Sequence, residues 1–225
     1  APEENKTLII HNKKLEIAVD LLNKSISSSN DVSGAAILPD DPKMPGSRLN
    51  IQKTFQLNDL KHEGSITALR IEGSKNSIDE RMQNLIREIH IKDSNISILE
   101  TNQSNIFWTK IKNLEFFSLT NNNIIRIVIP TANCSKLIYQ FRLGNYKYYI
   151  DWGGGLIWME IAGLTEEIFD SIKRKVVKLG GHMMMIKSSD NLPYVEEVFT
   201  INRDRFYLSQ NIKKSFDSKK ILNPG

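Results

Sequence analysis

One succession of strand-like and helix-like stretches, repeated along the chain, constrains the fold more than any other feature of this sequence. KTLIIHN (6–12) reads as a short strand, and KKLEIAVDLLNKSI (13–26) carries Leu15, Ala18, Leu22 and Ile26 at helical spacing. DVSGAAILP (31–39) is strand-like, DDPKMPGS (40–47) is a polar, proline-bearing loop, and SITALRIEG (65–73) alternates as a half-buried strand does. SIDERMQNLIREIH (77–90) predicts a helix, with Ser77 and Glu80 as a capping box and Ile78, Met82, Leu85, Ile86 and Ile89 on one face. NISILE (95–100) is the next strand.

The succession then returns. NIIRIVIP (123–130) is a strand, and TANCSKLIYQF (131–141) a helix with Thr131 as its N-cap. YKYYID (146–151) and GLIWMEIA (155–162) are strands joined by glycines. TEEIFDSIKRKVVKLGG (165–181) is a helix with acids in its first turn, bases in its last and a Gly-Gly stop. HMMMIKS (182–188) is the final strand. Each half is β-α-β-β-α-β, the order of a ferredoxin-like unit. The expected fold class is therefore α+β: two such units in one large, mostly antiparallel sheet with helices on one face, plus a C-terminal helix. The linking stretch 101–118 reads as helical, with Ile106, Trp108 and Ile111 as partial core. The last helix, about 203–216, sets Leu208, Ile212 and Phe216 on one side. The domain expectation is one unit over 1–225, made of half-repeats 6–100 and 123–188 and a C-terminal segment 189–225.

At 225 residues the chain can bury a substantial core without disulfides or metal. No apolar run approaches the ~18 residues that span a membrane, and the polar opening APEENKTLII lacks a signal-peptide pattern. The net charge is +4, but the basic residues are scattered over solvated helix faces, which argues against nucleic acid as a partner. Cys134, the sole cysteine, falls with Leu137, Ile138 and Phe141 and reads as core packing rather than a reactive thiol, which favours a reducing compartment. His11, His62, His90 and His182 lie far apart with no second ligand at metal-binding spacing, so no metal is expected. His182 reads as an edge-strand residue.

The stretch YYIDWGGGLIW, 148–158, is the one local feature that invites a functional reading. Its glycines lie between two strands rather than before a helix, so a phosphate cradle at a helix N-terminus is not expected. Two readings remain open on pattern alone. The glycines serve a structural hairpin or bulge, or they let a flat ligand approach the backbone, with Trp152 or Trp158 as a stacking surface.

The ending FDSKKILNPG (216–225) resembles the FDPxxILNPG ending of FAD-linked oxidases of the vanillyl-alcohol-oxidase type. With DVSGAAILP, LRIEG, IIRIVIP, YYIDWGGGLIW and KLGGHMMMIKS in order, the chain is similar over about 6–225 to the FAD-binding (E) subunit of bacterial glycolate oxidase. The resemblance implies a C-terminal flavin-capping domain, with FAD held mainly by an N-terminal domain that this chain lacks. In the catalytic relatives the equivalent hairpin carries HxGDGNxH and a later GGxxxGEHG. Laid on this sequence, those positions hold Asp151, Gly154, Leu156 and Trp158, then Gly180 and Gly181 with Ile186 and Lys187 where the Glu and His fall. The glycine scaffold persists without the acid–base and metal-ligating groups, which implies a degenerate site.

The resemblance therefore implies an accessory role in oxidising glycolate or another 2-hydroxy acid, with this fragment inactive alone. Trp152, Gly153, Gly154, Gly155 and Asn223 are the expected flavin contacts. Asp151, as a base, and Arg126, as holder of a substrate carboxylate or a neighbouring acid, are the only catalytic candidates, each weighed against a structural role. Ser218 and Lys220 depart from the family ending near Asn223. The implied partners are a catalytic flavin subunit and an iron–sulfur subunit. The implied location is cytoplasmic, or peripheral at the inner membrane through those partners. The rival reading is a stand-alone protein-interaction or ligand-binding module of ferredoxin-like repeats. An independently active oxidase is disfavoured by the missing ligand set.

Overall fold

The computed structural model describes residues 3–12, 14–40, 51, 53–55, 64–90, 96–117, 122–141, 146–188 and 203–222. In chain order these form β1 (Glu4–Asn12), α1 (Leu15–Ile26), β2 (Val32–Leu38), β3 (Ser65–Gly73), α2 (Lys75–Ile89) and β4 (Ile96–Leu99). A linking helix α3 (Thr101–Lys112) precedes β5 (Asn123–Val128). A 3-10 turn (Thr131–Asn133) then leads into α4 (Cys134–Phe141), followed by β6 (Lys147–Asp151), a second 3-10 turn (Trp152–Gly154) and β7 (Leu156–Ile161). The rest is α5 (Glu166–Lys178), β8 (His182–Lys187) and α6 (Arg203–Phe216).

The strands form one eight-stranded sheet in the order β4-β1-β3-β2-β6-β7-β5-β8, and every pairing is antiparallel. Each half has the strand arrangement of a ferredoxin-like unit, and the halves meet through their second strands. The ladder across that seam is the single pair Ile37↔Ile150. Both residues are fully buried, so side-chain packing holds the seam where hydrogen bonds are few.

Residue alternation assigns the two faces of the sheet. A Cβ on Gly73 of β3 would point at Ile78 and Arg81 of α2, and Lys6 of β1 meets Asp79 of α2 at 2.8 Å. Leu8, Leu69 and Ile71 therefore face the crossover helices. The helices of the two halves form one layer, because α1 packs against both α2 and α4. The linking helix α3 takes the opposite face of the first half. Its Trp108 indole N–H donates to the Thr7 hydroxyl at 2.8 Å, the Thr7 and Ser104 hydroxyls bond at 2.7 Å, and the Asn5 amide donates to Asn105 at 2.8 Å. Thr7 and Ser104 are fully buried, so these bonds satisfy polar groups that would otherwise be orphaned.

Several local expectations shift. α2 starts three residues earlier than the capping box implies, from Ser74, which is extended and makes no side-chain cap bond. Thr131 lies inside a 3-10 turn behind Pro130 rather than capping a helix. Thr165 does cap α5, its hydroxyl accepting from the Ile168 N–H at 3.3 Å. In α3 the core residues are Phe107 and Ile111, with Trp108 half-buried, whereas Ile106 is 40% exposed. In α6, Leu208, Ile212 and Phe216 share a side as expected, yet all three are exposed. The loop over 40–47 lies outside the described residues beyond Asp40.

Candidate functional site

The described start of the linking segment after α3, up to Phe117, lies on the face opposite the crossover helices. Phe116 and Phe117 lie 6.1 and 5.4 Å from the Tyr149 ring, and the Tyr149 hydroxyl donates to the Ile111 carbonyl at 3.0 Å. Lys147 sits 4.9 Å from the Phe116 centroid and 3.9 Å from the buried carboxylate of Glu160. Burial pulls the Lys147 ammonium down and Glu160 opposes it. Beyond these residues the same face carries Trp158, Arg126, Met184 and His182, each only half-buried.

Strand register brings these four together. Arg126 of β5 lies directly opposite Trp158 of β7 on one side and Met184 of β8 on the other. His182 pairs with Val128, two residues along β5 on the same face. The 3-10 turn after β6 then swings the Trp152 indole over the group. The guanidinium carbon of Arg126 stands 5.2 Å from the Trp152 ring and 5.9 Å from the Trp158 ring. Both distances suit cation–π attraction.

The turn itself is built by backbone conformation. Trp152, Gly153 and Gly154 have φ of +48°, +64° and +90°, a run of left-handed residues that is cheap only where side chains are absent. Asp151 secures the entry, its carboxylate accepting the Trp152 N–H at 2.8 Å. Burial pushes the Asp151 carboxyl up, with the Trp152 N–H and the charge of Arg70 pulling the other way. The hairpin reading of the glycines is thus met in full: they shape the turn. The same turn leaves Trp152 66% exposed beside these half-buried residues.

Every sequence candidate but Asn223 now has a place. Trp152, Gly153, Gly154 and Gly155 form the turn, with Gly153 and Gly154 buried beneath it. Asp151 braces that turn. Arg126 meets two indoles rather than an acid. Asn223 lies outside the described residues. Two participants were not singled out for this face: Met184, and His182, whose imidazole is pulled below its ordinary value by burial, then by the charges of Arg205 and Arg126. The register between β5 and β8, which includes a bulge at Ile124/Ile125, is what places them, and nothing local in the sequence encodes it. Among the described residues, no group of three His, Cys, Asp or Glu side chains is gathered closely enough to hold a metal ion. Cys134 is buried and its thiol is pushed up to about 12 by desolvation.

No protein-family model matches the chain, and no curated protein sequence does. Solved structures do match. p-Cresol methylhydroxylase with substrate bound matches with a TM-score of 0.61 at 11% identity, over 98% of this chain and 52% of its own. The fold is shared with about half of that protein's chain. 4-Ethylphenol oxidase from Gulosibacter chungangensis, in its isoeugenol complex, matches with a TM-score of 0.57 at 10% identity, over 99% of this chain and 53% of its own. Alkyldihydroxyacetonephosphate synthase matches with a TM-score of 0.53 at 13% identity, over 100% of this chain and 44% of its own. The chain thus spans about half the length of these proteins, and at such identities the likeness is one of fold. No helix among the described residues is long and apolar enough to cross a membrane.

Proposed function

We propose that this chain is the C-terminal, flavin-capping part of a glycolate-oxidase-type FAD-binding subunit, accessory to the oxidation of glycolate or another 2-hydroxy acid. The carrying observation is the fused double-unit sheet, shared almost end to end with half of p-cresol methylhydroxylase, together with the half-buried cluster of Arg126, Trp158, His182 and Met184 on its second half. The residues there suit the ring of a flavin and not its phosphates. An exposed indole at Trp152 beside Arg126 and Trp158 offers a flat, apolar surface of the kind that aromatic ligands stack on. In this reading the phosphates are held by a further segment or a separate polypeptide. When bound, flavin supplies the two-electron acceptor for the oxidation.

The chain's own residues cover and shape the site. Leu156 and Trp158, standing where catalytic relatives have Asn and His, neither take up a proton nor ligate a metal. Asp151 is engaged by the turn. Oxidation is accordingly assigned to a catalytic flavin subunit, with an iron–sulfur subunit completing the complex. A second reading, a ligand-binding or protein-interaction module without flavin, draws on α6, which is exposed along its length.

The test is to recover the tagged chain from the cells that encode it and record the absorption of what comes with it. A flavin spectrum, with glycolate or D-lactate bleaching it, is the expected result. A stable complex free of flavin, combined with no change in the chain's melting temperature on adding FAD, would favour the second reading and overturn the first.

A further inference from the structure

Every residue of α6 is exposed, so nothing among the described residues covers its apolar stripe. Leu208, Ile212 and Phe216 follow one another at four-residue spacing, each more than half exposed. A helix of 14 residues is marginal in water without an apolar surface to lie on. The pattern continues past the helix end. The two carboxylate oxygens of Asp217 accept the N–H groups of Ile221 and Leu222 at 2.8 and 2.9 Å. Asp217 is buried in that turn, yet the turn holds the Ile221 and Leu222 side chains out, both more than half exposed.

Lys and Arg occur throughout the chain, but their surplus over the acids does not. Residues 203–222 carry Arg203, Arg205, Lys213, Lys214, Lys219 and Lys220 against Asp204 and Asp217. Of 30 basic and 26 acidic residues in the sequence, that leaves 24 of each elsewhere. The whole net charge of +4 therefore belongs to the segment that also exposes this apolar stripe. By helical periodicity Arg203 and Lys214 fall opposite Ile212. Arg205 shares the side of the stripe, where its long stem lets the charge reach outward. A second copy is a poor occupant, because two such segments face to face repel. A lipid surface fits better than a protein groove. Four of the six cations are lysines, which protein interfaces avoid, and a flexible point charge suits diffuse negative charge more than a fixed carboxylate.

We propose that α6 and the turn after it, as far as Leu222, dock on an anionic lipid surface. The helix, about 21 Å long at 1.5 Å per residue, is too short and too charged to span a bilayer. It lies in the plane of the interface, with Leu208, Ile212 and Phe216 toward the acyl chains and Ile221 and Leu222 as a second anchor. The pairs Lys213–Lys214 and Lys219–Lys220 meet the headgroup phosphates. The chain thus reaches a membrane directly rather than through partner subunits, and does so whether or not it caps a flavin.

The test sediments the full chain, without flavin, with vesicles of phosphatidylcholine alone or of phosphatidylcholine and phosphatidylglycerol in equal parts. The expected result is binding to the mixed vesicles only, weakened by added sodium chloride, with slower hydrogen exchange at the α6 amides. Lys219→Gln combined with Lys220→Gln should weaken binding about 25-fold, near fivefold per lysine. Phe216→Ser should weaken it about tenfold or more. These side chains are exposed, so both variants should melt with the parent, which circular dichroism checks. Equal binding to the two kinds of vesicle, or binding to neither, overturns the proposal. So does anionic binding that both variants leave unchanged, since the contact then lies elsewhere. Slow exchange at α6 in vesicle-free protein also overturns it, because the helix is then already covered by protein.

Discussion

Replacing the three consecutive glycines one at a time should give unequal costs, because they occupy unlike positions in the turn. Gly153 has φ of +64°, and an added Cβ would come within 2.1 Å of Ile26 Cδ1 on α1. The left-handed backbone costs an alanine about 1–2 kcal/mol. Displacing the isoleucine adds overpacking of about 1 kcal/mol, the low end for such changes, since Ile26 is 43% exposed and has room to turn. Gly154 has φ of +90° but nothing closer than 3.8 Å to an added Cβ, so only the backbone term of about 1–2 kcal/mol applies. Gly155 has φ of −84°, where alanine gains about 0.4–1 kcal/mol from the unfolded chain. A 3.3 Å approach to the Trp152 carbonyl oxygen offsets that gain.

Gly153→Ala should therefore cost about 2–3 kcal/mol, a fall in Tm of roughly 4–12 °C at this chain length. Gly154→Ala should cost about half as much, and Gly155→Ala close to nothing. Urea unfolding followed by circular dichroism, with unchanged m-values, measures the series. Ile26→Val removes the clashing methyl and should recover about 1 kcal/mol of the Gly153→Ala loss in a double-mutant cycle. If Gly155→Ala proves the costliest, or Ile26→Val recovers nothing, the account of the turn is wrong.

Three further outcomes are expected. Phe107→Ala should cost about 3–5 kcal/mol in urea unfolding, because that ring is 1% exposed beneath the linking segment. Ile106→Ala, one residue away and 40% exposed, should cost under about 0.5 kcal/mol. Cys134 should resist a thiol reagent in the folded chain and react at once in denaturant, since its thiol is buried and its ionisation pushed up to about 12; rapid labelling of native protein would contradict the packing. Asp151→Asn keeps an oxygen for the Trp152 N–H and removes a carboxylate whose ionisation burial disfavours. The stability that Asp151 contributes is fully present below its unfolded pKa and lost as pH rises through its raised folded value. The Asn variant should gain on the parent between acid and neutral pH in paired thermal melts, and a gap independent of pH would refute this.

Much of the fold was legible because hydrophobic periodicity is a local signal and the β-α-β-β-α-β order is written twice. β3 occupies the very residues its alternation marks, 65–73. Helix ends were less legible: Ser77 and Glu80 satisfy the capping pattern, but the chain enters α2 at Ser74, before that pattern applies. Facing was harder still. Ile106 and Phe107 are both apolar on α3, and only the sheet it lands on decides that Phe107 turns inward. The hairpin at Trp152 could be read from its glycines, whereas the cluster with Arg126, His182 and Met184 depends on register across β7, β5 and β8. Register is settled by long-range pairing, which no window of neighbouring residues contains.

The way the two halves join carries a consequence for solubility. A four-stranded unit has two margins with unpaired backbone groups, so two separate units would present four. Pairing β2 with β6 buries two of these inside the sheet and leaves β4 and β8 as the margins. Among the described residues β4 spans four, Ile96–Leu99, and a short margin gives an incoming strand little to lengthen. The chain doubles its sheet without doubling its invitations to aggregate.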